Sequence, residues 1–154
     1  MDPLTSLKSE PISRLGPLTL NILAPTNSVL DAVRLMQDTR FGCVVVCSGE
    51  TPVGVLTERD ILRRMGTSQP LETPLGEVMS TSIWPLTAKD TVGKALELMK
   101  EKQCRHIVIV ESSGTPVGIL SARKIIRAFV EHFPSSVYNL PPVANQVHRD
   151  REGA

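Results

Sequence analysis

The chain has 154 residues, 41% hydrophobic and 21% charged, with 17 basic against 16 acidic side chains and a formal net charge of +1. This is the make-up of an ordinary globular protein, and the balanced charge gives no reason to expect a nucleic-acid or anionic-membrane partner. Apolar runs such as Cys43-Val44-Val45-Val46-Cys47 are too short to span a bilayer, and residues 1–16 lack the basic region and apolar stretch of a signal peptide. Three cysteines, widely spaced and without a Cys-x-x-Cys pair, fit a reduced cytoplasmic protein.

After an N-terminal arm over residues 1–10, Val29, Val33 and Met36 recur at helical spacing, with Ser28 as N-cap and Asp31 three residues on. The run Cys43 to Cys47 reads as a buried strand, Ser48-Gly49-Glu50 as a hairpin turn, Val53 to Thr57 as the returning strand and Glu58 to Met65 as a closing helix. A polar linker over residues 67–73 follows. Pro74 then opens a short helical turn through Met79, with Thr73 as N-cap and proline at the tolerated first position. The order repeats: Thr91 caps a helix carrying Val92, Leu96 and Met99, then come strands His106 to Val110 and Val117 to Ser121 about Ser112-Ser113-Gly114, and a helix from Ala122 to His132. Residues 134–154, with three prolines and a charged end, read as a flexible tail.

That order is one unit written twice. A shift of 63 positions carries Pro11 onto Pro74, Val29 onto Val92, Ala32 onto Ala95 and Met36 onto Met99. One inserted residue later, a shift of 64 carries Thr51-Pro52-Val53-Gly54 onto Thr115-Pro116-Val117-Gly118. Two half-sized units, residues 11–66 and 74–133, cannot each bury an apolar face alone, so they are expected to pack as a pseudo-symmetric pair with ligand clefts at the junction. The fold class is α+β, two packed β-α-β-β-α repeats.

Leu75-Gly76-Glu77-Val78-Met79-Ser80, Ala95-Leu96-Glu97-Leu98-Met99 and Gly54-Val55-Leu56-Thr57-Glu58-Arg59-Asp60, set in this tandem plan, resemble a pair of CBS domains, the cystathionine β-synthase type module. The resemblance covers roughly residues 11–133. It implies a regulatory module, not an enzyme, that binds AMP, ADP, ATP or S-adenosylmethionine, without a metal, and associates as a homodimer. With no attached catalytic or transport domain expected, the regulated protein would act in trans.

Thr57-Glu58-Arg59-Asp60 lies where strand becomes helix, beyond Val55. A helix start offers unpaired N–H groups and partial positive charge to a phosphate, and an ionised Asp60 can accept from two ribose hydroxyls, the family's use of this position. The same four residues also spell a helix capping box. In the second repeat the sequence is Ser121-Ala122-Arg123-Lys124, and a lysine cannot accept from ribose. Lys124 could hold a phosphate or simply be solvated. By the resemblance, Arg105 stands where an arginine grips phosphate, Cys104 where some members carry histidine, and Trp84 where the base pocket is lined. Gly42 replaces the arginine in the first repeat. Arg123 is either a second phosphate cation or a solvated helix charge, and Trp84 either a base wall or core. One ligand per chain, in the cleft of Asp60, is expected. The alternative is a structural dimerisation module with a vestigial cleft. No nucleophile elbow, phosphate-binding glycine loop or metal-ligand spacing marks an enzyme.

Overall fold

The computed structural model describes residues 2–65, 67–68 and 70–131, so the expectations for His132, Phe133 and the tail lie outside the described residues. Its elements are α1 (Pro3–Ser9), a 3-10 turn (Ile12–Leu15), β1 (Ile22–Leu23), α2 (Val29–Thr39), β2 (Cys43–Ser48), β3 (Thr51–Thr57), α3 (Glu58–Met65), α4 (Leu75–Val78), α5 (Val92–Lys102), β4 (His106–Val110), β5 (Pro116–Ser121) and α6 (Ala122–Glu131). The fold is α+β, and the two repeats are built alike.

Local chemistry sets each boundary. The α2 start is a reciprocal cap: Asp31 N–H donates to Ser28 Oγ at 3.1 Å, and Ser28 N–H to Asp31 Oδ2 at 3.0 Å. Thr91 caps α5 through Lys94 N–H at 3.1 Å. Both helices end on a left-handed residue, Arg40 (φ 54) and Gln103 (φ 52), which turns the chain into its strand. The hairpins are antiparallel, and both carry a register shift opposite proline, at Val46/Cys47 beside Pro52 and at Ile109/Val110 beside Pro116. A bulge is where a strand tolerates a residue that lacks an N–H.

The arm of residues 1–10 contains a helix, α1, capped by Asp2 and burying Leu7. Two expectations need correction. Thr73 does not cap α4: Pro74 holds the cap position, and the Thr73 hydroxyl donates to the Pro70 carbonyl at 2.7 Å. The Thr73 carbonyl accepts from Val29 N–H at 3.0 Å, so this residue serves the start of α2 instead. Finally, the leading strand is symmetric only in outline. In repeat 1 it pairs in parallel, Ile22 with Val45 and Leu23 with Val46. In repeat 2 it shrinks to a single bridge between Leu86 and Ile109, with Pro85 at the position that corresponds to Ile22.

The segments leading into the repeats cross over. Ser80 and Val55 exchange backbone hydrogen bonds at 2.9 Å in both directions, and Ile119 N–H donates to Thr19 at 2.8 Å. The packing crosses with them. Leu75 and Val78 of α4 lie in the core of α2, β2 and β3 with Val29, Met36, Val44, Val46 and Leu56. Leu7 and Ile12 lie in the core of the second repeat with Val92, Met99, Ile107, Leu120 and Ile125. A third core, Cys43, Val45, Cys47, Val108 and Ile119, joins the two sheets face to face. Alternate residues of β2 therefore serve two cores, which is why the run reads as continuously apolar.

Candidate functional site

The end of β3 and the start of α3 carry the first candidate site. Thr57 N–H and Thr57 Oγ1 both donate to Asp60 Oδ2 at 3.0 Å, and Asp60 N–H donates to Thr57 Oγ1 at 3.4 Å. The capping box is thus formed. It also fixes the Asp60 carboxylate at a helix start, and among the described residues these bonds fall on Oδ2 rather than Oδ1. Arg59 is exposed on the first turn of α3. Beneath, Cys43 is buried, and burial, then the Asp60 charge, push its thiol up to about 12. That sulfur is a small apolar filler, not a nucleophile.

Val55 pairs with Ser80, which draws the segment from residue 80 of the second repeat beside β3. Trp84 is 38% exposed, so it is not a core residue. Lys102 Nζ lies 5.0 Å from its ring centroid, a cation–π contact on the aromatic face.

The second repeat approaches through His106. Its ring meets Phe41 edge-on, with centroids 5.7 Å apart. The Glu58 side chain occupies the space that a Cβ on Gly42 would fill, and Glu58 N–H donates to the Gly42 carbonyl at 3.0 Å. Burial holds His106 below its ordinary range; the Glu58 charge works against that shift and the Arg105 charge with it. Arg105 is exposed next to half-buried Cys104, and its carbonyl accepts from Ala122 N–H at 2.9 Å. Glu58 and Arg105 thus meet at His106 from opposite repeats. Arg123 is exposed on the first turn of α6, in the second cap.

In that second cap Lys124 N–H donates to Ser121 Oγ at 3.1 Å, while its ammonium reaches the Pro17 carbonyl at 3.2 Å. The Lys124 ammonium thus has a backbone partner from the segment that leads into the first repeat, in a bond that is open to solvent.

The CBS domain matches residues 19–67 and 75–131 of this chain. The chain belongs to the CBS-domain family. Among relatives of this CBS pair, it is 26% identical over 121 residues to an uncharacterized 17.7 kDa protein of Acidianus ambivalens, covering 78% of this chain and 73% of that one. It is 33% identical over 115 residues to the CBS domain-containing protein CBSX3, mitochondrial, of Arabidopsis thaliana, covering 69% of this chain and 55% of that one. The solved CBS domain protein PAE2072 of Pyrobaculum aerophilum, complexed with AMP, superimposes with a TM-score of 0.71 at 27% identity, over 79% of this chain and 99% of that one. This CBS pair spans little more than half the length of the Arabidopsis relative.

Glu58, Lys102, His106 and Asn21 were not singled out for the site by sequence. Asn21 is 1% exposed, and its Nδ2 faces Thr39 Oγ1, the Phe41 carbonyl and the Cys43 carbonyl at 3.0–3.3 Å. It fixes the loop that carries Gly42. No spacing rule announces such a staple, since its partners lie about twenty residues away. Among the described residues no cluster of three His, Cys, Asp or Glu side chains could hold a metal, and no helix is long and apolar enough to cross a membrane.

Proposed function

We propose that this CBS pair is a regulatory module that takes one adenosine-containing ligand (AMP, ADP, ATP or S-adenosylmethionine) in the cleft of Asp60 and passes the bound state to a protein partner in trans. The observation that carries the reading is the Asp60 carboxylate held at the start of α3, beside the crossing segment that brings Trp84 from the other repeat. The AMP complex of the Pyrobaculum protein supports the ligand class. In this reading Asp60 accepts from the ribose, Thr57 and the α3 N–H groups face phosphate, and Val55 and Trp84 line the base. Arg59, Cys104, Arg105 and Arg123 border the phosphate end.

The same reading makes the module an isologous dimer. Leu62 and Ile126, related by the internal repeat, are 69% and 62% exposed. Beside Leu62 runs a groove of about 420 Å³ lined by Val33, Met36, Gln37, Glu58 and Ile61. In repeat 2, α1 packs against α5 and α6 and places Leu7 with Met99 and Ile125, the counterparts of Met36 and Ile61. Among the described residues repeat 1 leaves its groove open, and a second copy would cover this apolar surface.

A thermal-shift panel of AMP, ADP, ATP, adenosine and S-adenosylmethionine tests the function. A ligand that binds only the folded state adds about 2.7 kcal/mol at a hundredfold its dissociation constant. No shift with any of them, on a folded protein, would leave the dimerisation module, for which Thr57 and Asp60 are a helix cap alone.

A further inference from the structure

The two clefts differ in what ties the start of each closing helix to the segment that crosses it. The crossing residues are Ser80 at the first cleft and Thr19 at the second. Two positions before each lie Val78 and Pro17. In the first repeat the Val78 carbonyl accepts from Arg64 Nη2 at 3.4 Å, from the last turn of α3. That tie lies one turn beyond Asp60.

In the second repeat the counterpart of Arg64 is Ala128, which has no side chain able to make such a bond. Lys124 makes it instead, donating to the Pro17 carbonyl at 3.2 Å. The tie has moved from the last turn of the helix to its first turn, where the lysine side chain joins the cap to the crossing segment in a solvent-exposed bond. By the sequence shift of 63, Trp84 falls on Asn21, which is buried and bonded into the 39–43 loop.

We propose that Lys124 is a built-in occupant of the second cleft. On the reading that Asp60 receives a ribose, the Lys124 ammonium supplies internally the kind of donor a ribose hydroxyl would bring, gives it to Pro17, and removes the carboxylate a ligand would need. The second cleft is closed by the chain itself, and the module binds asymmetrically, one adenosine ligand per chain.

Calorimetry with AMP on the full chain tests this. Wild type is expected to bind one AMP per chain and Lys124→Asp two, with the first-site Kd unchanged within about twofold. Asp60→Ala/Lys124→Asp should bind one. Lys124→Ala, which only removes the tie, should gain a second site at least tenfold weaker than the first, and it serves if Lys124→Asp does not fold. Two sites in wild type, or one site in wild type and in both Lys124 variants, would overturn the inference. A wild type that binds none while Lys124→Asp binds one would uphold it and remove the first-cleft reading. No binding by either protein would overturn both.

Discussion

Val55 and Ser80 exchange both of their backbone hydrogen bonds at 2.9 Å, although they belong to different repeats. Each repeat is therefore completed by the lead-in of the other, and residues 80–84 run beside the end of β3. Under the proposed function, a ligand between Asp60 and Trp84 would touch both halves at once.

Asp60 has two jobs to separate. If it holds a ribose as proposed, its replacement by Ala removes hydrogen bonds each worth about 1.5–3 kcal/mol to a charged acceptor, so affinity for every adenosine ligand should fall tenfold to a hundredfold or more. It also removes the cap on Thr57, at about 1 kcal/mol of stability. Arg105→Ala should weaken AMP and ATP but spare adenosine, because its partner is phosphate. Titration and melting of both variants check this; unchanged AMP affinity in each would leave only the cap.

Leu62→Glu should convert the dimer to a monomer, since it places a charge in an apolar interface. Light scattering at tens of micromolar reads the mass directly. Wild type already at the 16.8 kDa of a single chain would defeat the dimer.

The crossing segments should be intolerant of added volume. A methyl on Gly118 would come within 2.6 Å of Leu18 Cβ, whereas one on Gly54 meets first the Met79 sulfur. A thioether can swing aside and a Cβ cannot without moving backbone. Gly118→Ala is expected to cost about 1–3 kcal/mol and Gly54→Ala less, as read by urea denaturation. Equal losses would show that the Leu18 segment yields as easily as Met79.

His106 should make the fold acid-sensitive. Burial lowers its pKa from 6.5, so below that value the unfolded chain takes up a proton that the folded chain resists. This part of the stability is complete above 6.5 and declines as pH falls towards the lowered folded value. Melting between pH 7.5 and 5 should fall less steeply for His106→Gln than for wild type. It should fall more steeply for Glu58→Gln, which deletes the carboxylate that partly offsets the shift. Parallel curves for all three proteins would refute the assignment.

Much of this protein was written in local patterns. The repeat, the Ser28–Asp31 and Thr91 caps, both hairpins and the cysteines as core fillers follow from spacing and side-chain chemistry within a few residues, and those interactions survive any choice of tertiary packing. The Thr57–Asp60 cap was legible for the same reason. What sequence could not supply were contacts between residues far apart along the chain. Thr73 looked like a cap because only its neighbours were in view, and Val29 had already claimed its carbonyl. The helix α1 has no signature in the arm's sequence because Leu7 is an isolated leucine until α5 and α6 surround it. The meeting of Glu58, His106 and Phe41, the Asn21 staple and the bond from Lys124 to Pro17 all depend on the crossing of the lead-in segments. A repeat specifies two similar halves, but side-chain packing in three dimensions decides which half completes which cleft.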